Sequence, residues 1–168
     1  LQCPYCSNPL ALDPREGELD TATWVRVLHE AAALGVLQVH LSGGEPAARR
    51  DLVEITAGAR AAGLYTNLIT SGVGVTSKLM DALADAGLDH VQISIQDSEP
   101  TSADRIAGYE GAFARKRALA AEVVRRKLPL TVNAVMHRAN IDRIGEMVDL
   151  ALALGASRVE IAHVQYYG

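Results

Sequence analysis

Apolar and polar positions along this chain alternate between two periods. Stretches with apolar residues every three or four positions give way to short, nearly continuous apolar runs rich in Val, Ile and Leu. The first pattern predicts helices over roughly 20–34, 49–62, 77–86, 112–127 and 141–154. The second predicts strands over 36–41, 64–70, 89–95, 130–136 and 158–164. Asp20 suits the N-cap of the first helix, with Leu19 placed to staple against Trp24. Gly35, Gly63, Gly87 and Gly155 stand where a helix end asks for a left-handed residue, and each is followed at once by a strand. Stripes such as Leu28, Ala31, Ala32 and Met147, Val148, Ala151, Leu152 read as core. Helix and strand alternating five times implies right-handed crossovers and a parallel α/β sheet.

Composition narrows the classes. A chain of 168 residues is one domain or a large part of one. With 49% hydrophobic and 21% charged residues it is globular and not disordered. The formal net charge is −4, and Arg115-Lys116-Arg117 with Arg125-Arg126-Lys127 reads as a solvated helix face, so nucleic acid is not an expected partner. No apolar run approaches the ~20 residues of a membrane span and no signal-peptide pattern is present, so neither is a membrane. The two cysteines, spaced C-x-x-C, make no disulfide framework and point to a reducing, cytoplasmic compartment. The opening at Leu1 without Met, and the close on Tyr166-Tyr167-Gly168, lead us to expect a piece of something longer.

Polar residues unusual for a core collect just past the predicted strand ends: Ser42-Gly43-Gly44-Glu45-Pro46, Thr70-Ser71-Gly72, Ser94 with Gln96-Asp97, His137-Arg138, and His163 with Gln165. Parallel α/β folds carry their ligand sites at that edge. Cys3-Pro4-Tyr5-Cys6 precedes the first helix and belongs on the same rim if a strand lies upstream of Leu1. A C-x-x-C pair serves a dithiol redox site, half of a zinc site or part of an iron–sulfur site. A thiol–disulfide oxidoreductase with Cys3 as nucleophile would carry the pair at a helix start, whereas a polar loop follows here. A zinc-holding scaffold would need two more ligands, and His29, His40, His90, His137 and His163 lack ligand-like spacing. Gly43-Gly44 allows close approach to the backbone, and Glu45 offers a carboxylate to an ammonium group.

These residues resemble the radical S-adenosylmethionine (SAM) superfamily. Its signature is C-x-x-x-C-x-aromatic-C followed, after the next strand, by Gly-Gly-Glu-Pro. Cys3-Pro4-Tyr5-Cys6 matches the second half of the first motif and Gly43–Pro46 the second. Three further runs are similar to the SPASM-type branch that acts in pyrroloquinoline quinone (PQQ) biosynthesis: Cys3–Leu10, Ser94–Ser98 and His163–Gly168. The resemblance implies a partial (β/α)6 TIM-like barrel over residues 1–168, with its first strand and its C-terminal SPASM region outside this chain. It implies a 4Fe-4S cluster held by Cys3, Cys6 and a third cysteine four residues before Cys3, so that this fragment alone holds no intact cluster and is inactive. Auxiliary iron–sulfur clusters would lie in the SPASM region.

By the same resemblance Ser42, Gly43, Gly44 and Glu45 hold the methionine ammonium of SAM, and Tyr5 is the aromatic of the cluster motif. Ser94 and Gln96 meet the ribose and carboxylate, and Arg105, with Arg115 as competitor, pairs with the carboxylate. The adenine packs near Ala162–Gln165. The implied activity is reductive SAM cleavage followed by a carbon–carbon cross-link between Glu and Tyr of a precursor peptide. The implied partners are that peptide, a peptide chaperone that presents it, and an electron donor. Another SPASM-type peptide modification is the alternative.

Overall fold

The structure, a computed structural model, describes residues 3–6, 8 and 17–164. Five strands form one parallel sheet: β1 (Gln38–Leu41), β2 (Tyr65–Thr70), β3 (His90–Ser94), β4 (Leu130–Met136) and β5 (Arg158–His163), with spatial order the same as chain order. Between and around them run α1 (Thr21–Ala33), α2 (Leu52–Ala61), α3 (Ser77–Asp85), α4 (Pro100–Ala107), α5 (Ala112–Arg125) and α6 (Ile144–Ala153). The ladders pair Leu41 with Leu68, Thr70 with Ile93, Ser94 with Asn133, and Met136 with His163. The strand ends therefore share one rim, the arrangement the alternating pattern predicts.

All five predicted strands form, and the first helix starts where expected: the Asp20 carboxylate accepts from Thr23 N at 2.8 Å. Leu19, expected to staple on Trp24, is left about half exposed. Three expectations change. The helical region before β4 holds an additional helix, α4, started by the Glu99 carboxylate accepting from Thr101 N and Ser102 N, with Pro100 in the first turn and left-handed Gly108 at the end. No element was expected over 96–111, yet this cap satisfies two orphan donors at once. The helix expected over 49–62 opens instead as a 3₁₀ turn at Pro46–Ala48 and becomes α-helical at Leu52, while that over 141–154 opens as a 3₁₀ turn at Ile141–Arg143.

The core lies on the sheet. Leu68, Val91, Ile93, Val132, Ala134 and Met136 from the strands meet Met80, Leu83, Leu119, Val123, Met147 and Ala151 from α3, α5 and α6. Each large side chain removed from water contributes about 1.5–3 kcal/mol. Leu28, Ile55, Ala59 and Leu64 form a smaller cluster where α1 and α2 pack. The α6 stripe is only partly core: Met147 and Ala151 are buried, but Val148 and Leu152 face outward, since the sheet covers one side of that helix alone. Among the described residues β1 pairs only with β2, and along it runs a groove of about 850 Å³ lined by Trp24, Leu28, Val39, Leu41, Ile55 and the 42–46 loop.

Candidate functional site

Cys3 and Cys6 close a tight turn, with Cys6 N donating to Cys3 O at 3.0 Å and both thiols free. Two contacts fix this turn over the rim. Asn8 Nδ2 donates to Gly43 O at 3.2 Å, tying it to the loop after β1. The Tyr5 ring lies 5.2 Å from the His137 ring at the end of β4. The pKa of the Tyr5 hydroxyl is raised by burial first and then by Cys3. The Cys3 thiol is pushed up as well, by burial, with Lys116 and Tyr5 partly offsetting it. Attacking cysteines of dithiol enzymes are held low beside cations or at helix starts. Here burial wins, and the first described helix after the turn starts only at Thr21.

In the loop after β1, Gly43 has φ +138° and a side chain built on it would meet nothing within 4 Å, so conformation and not space demands glycine there. Ser42 and Gly44 are exposed beside it. Glu45 turns inward to the end of β2. Its Oε1 accepts from Thr70 Oγ1 at 2.7 Å and Ala47 N at 3.1 Å, and its Oε2 from Ser71 N at 2.9 Å and from the Ser71 hydroxyl. A carboxylate has about four acceptor sites, so an incoming ammonium must replace one of these donors, and the hydroxyls of Thr70 and Ser71 are the two that can rotate away. Glu45→Gln puts an amide N–H₂ against these donors. The expected cost is about 1–3 kcal/mol, read as a lower denaturant midpoint with an unchanged slope.

Sequence reasoning missed Lys116. The expected solvated face of α5 exposes Arg115 and Arg117, but Lys116 is 1% exposed. It lies in the buried stripe Phe113, Lys116, Leu119, Ala120, Val123, and that spacing was the available signal. Its Nζ donates to Ser94 O at 2.8 Å and to Gln96 Oε1. Gly72 makes room for it, since an added Cβ would stand 3.3 Å from Lys116 Cγ. Burial pushes the ammonium pKa down to about 8, against the pull of Cys3, Asp104 and Glu45.

The other expected residues divide. Ser94 and Gln96 are at the rim, and Gln96, 4% exposed, accepts from Lys116. Buried Asn140 donates to Gln96 O at 2.7 Å and Val135 O at 3.0 Å and accepts from His137 N. Arg105 is exposed on α4, bonded to Ser102 Oγ, and Arg115 is exposed on α5 over the Tyr109 ring. Ala162 lies in β5, paired with Val135, and Gln165 falls outside the described residues. A second omission is the partner of Asp97, which was expected at the rim and lies fully buried behind it. Asp97 accepts from Arg143 Nε at 2.7 Å and from the Nη2 of the same guanidinium.

Whether these residues suit a cluster and SAM turns on what is on the rim. Two free thiols stand together, a carboxylate lies in an open glycine loop tied to them, and His137 Nε2 is buried with no partner among the described residues. This donor set fits part of a thiolate-ligated cluster with a polar ligand alongside. Among the described residues no group of three or more His, Cys, Asp and Glu is placed to hold a metal ion, which leaves the zinc scaffold without a ligand set there. No described helix is long and apolar enough to cross a membrane.

Comparison with known proteins fits this geometry. Residues 1–151 match the model of the radical SAM superfamily. The chain is 71% identical over all 168 residues to PqqA peptide cyclase of Methylocella silvestris and 62% identical to that of Ruegeria pomeroyi. It spans 45% of the length of each, less than half of these curated relatives. Among solved structures, Streptococcus suis SuiB bound to S-adenosylmethionine superposes with a TM-score of 0.87 at 21% identity, over 99% of this chain and 38% of that one. SuiB bound to its precursor peptide SuiA gives 0.86 over 97% and 36%.

Proposed function

This chain belongs to the radical SAM superfamily, and from that premise we propose that it is the core of a PqqA-type peptide cyclase. The observation that carries the reading is the joining of the two motifs, C-x-x-C and Gly-Gly-Glu-Pro, through Asn8 and Gly43 on one rim. The identity to PqqA peptide cyclases supports the substrate, a precursor peptide. In this reading Cys3 and Cys6 ligate two irons of a 4Fe-4S cluster, and the third thiolate comes from outside residues 1–168. When bound, the cluster and SAM supply one-electron reductive cleavage to methionine and a 5′-deoxyadenosyl radical, which starts the Glu–Tyr carbon–carbon cross-link.

The chain's own residues position and shield. Glu45 exchanges one hydroxyl donor, from Thr70 or Ser71, for the methionine ammonium, at the end of a loop that Gly43 and Gly44 keep open. Ser94 and Gln96 hold the polar flank, with Ala162 and Gln165 toward the adenine. Arg105, whose guanidinium hydrogen bond stays within α4, is a weaker carboxylate partner than the sequence suggested. The groove along β1 suits an upstream strand, which would extend the partial barrel. We further propose a chaperone that presents the peptide, an external one-electron donor, and a reducing cytoplasm that keeps both thiols free.

Anaerobic iron–sulfur reconstitution of the full-length protein tests the reading. The expected result is iron uptake, deoxyadenosine from SAM under reduction, and a precursor peptide lighter by two hydrogens with Glu and Tyr joined in its fragment spectrum. A protein that takes up no iron yet reduces mixed disulfides sinks it.

A further inference from the structure

Resting on the cluster reading above, we infer that Lys116 is a positioning residue whose buried charge stabilises the reduced state of the iron–sulfur site at the cysteine turn. Lys116 is 1% exposed, and its ammonium contacts only uncharged acceptors, Ser94 O and Gln96 Oε1. The nearby carboxylates are engaged elsewhere: Asp104 accepts from Gly111 N and Phe113 N, and Glu45 from Thr70, Ser71 and Ala47. Among the described residues, no ion pair balances it. A buried cation without a partner is costly unless an anion arrives. Its acceptors stand at the rim end of β3, the rim that the cysteine turn covers through Asn8 on Gly43 and Tyr5 on His137.

An iron–sulfur site on thiolates is anionic, and one electron from an external donor adds one more negative charge with no bond made or broken. Net charge, hydrogen bonds and exposure set its potential. A fixed ammonium in a dry interior favours the added charge, because Coulomb interactions are far stronger there than in water. Gly72 and the Phe113–Val123 stripe hold Lys116 where it is, since an added methyl at 72 would press on its stem.

The test uses the full-length protein, reconstituted, with the midpoint of the SAM-responsive cluster followed by EPR. Lys116→Met and Lys116→Gln should each lower the reduced-to-oxidised ratio at fixed potential at least tenfold, about 59 mV in a one-electron couple. The shift should appear with and without SAM, while Lys116→Arg stays within about twofold of the parent. Loss of iron from both neutral variants, restored by Lys116→Arg while all three metal-free proteins melt as the parent does, is the same result in extreme form.

An unchanged midpoint in iron-loaded neutral variants overturns the inference, as does a loss confined to SAM affinity, which would make Lys116 a contact of the SAM carboxylate. Neutral variants that fail to fold also overturn it, leaving the lysine structural. If the parent itself binds no iron, the cluster reading falls first and this inference with it.

Discussion

Replacing Cys3 and Cys6 together by alanine should abolish cluster formation in the full-length protein, with SAM cleavage falling to the level of a cluster-free control. In the proposed site Cys3 and Cys6 would each hold one iron, and neither of the nearest polar side chains substitutes: His137 faces Tyr5, and Glu45 is committed to Thr70 and Ser71. The fold should survive. Cys6 is exposed, Cys3 is half-buried, and neither belongs to the core clusters. Substitutions away from packed features usually change stability by less than about 0.5 kcal/mol, so thermal melting of the metal-free variants should match the parent. Iron analysis together with that melting curve separates a missing ligand from a broken fold. Full iron content in the double variant would remove the cysteines from the site.

The second large effect is on stability. Asp97→Ala should cost about 3 kcal/mol, the lower end for breaking a buried pair, because Arg143 is partly exposed and keeps Ala139 O. In a domain of this size that is a melting temperature lower by about 6–12 °C, measured by circular dichroism. The pair joins the loop after β3 to the turn before α6, and the end of β3 with that loop carries the two acceptors of Lys116, Ser94 O and Gln96 Oε1. The pH dependence has a definite sign. Burial alone would raise the Asp97 carboxyl, but hydrogen bonds from Arg143 and then Ser102 outweigh it and hold the pKa below the usual 3.8. A carboxyl depressed on folding stabilises above its unfolded pKa, and that stability is lost as pH falls through the folded value. The parent should therefore lose stability relative to Asp97→Ala only below about pH 4. A difference between the two that stays constant into strong acid would refute the pair's role.

How much of this was legible depended on range along the chain. The strands were legible as short apolar runs, four of them launched from a helix-ending glycine: Gly35, Gly63, Gly87 and Gly155 all take left-handed φ between +75° and +93°, while the helix before β4 ends on left-handed Lys127 at +58°. The motif residues were legible as strings, Cys3–Cys6 and Gly43–Pro46. Their proximity was expected only from topology, and the Asn8 contact that realises it is a single long-range bond. α4 was missed because its composition is polar and its evident feature, Glu99-Pro100, is shared with turns. Lys116 was misread because flanking arginines disguised a buried position whose spacing nevertheless matched the apolar stripe. The Asp97–Arg143 pair left no local signal at all, since nothing near Asp97 in sequence announces a guanidinium from the far side of β4.

Strand order equal to chain order has a consequence for the protein's synthesis. Each new strand lies against the one made just before it, so no ladder waits for a partner from a distant part of the message. A chain emerging from the ribosome at about 5–20 residues per second can add one crossover at a time to a finished edge. Parallel pairing is otherwise slow, because loop closure is paid before contacts form. Growth in register along the nascent chain keeps each such closure to the length of a single crossover.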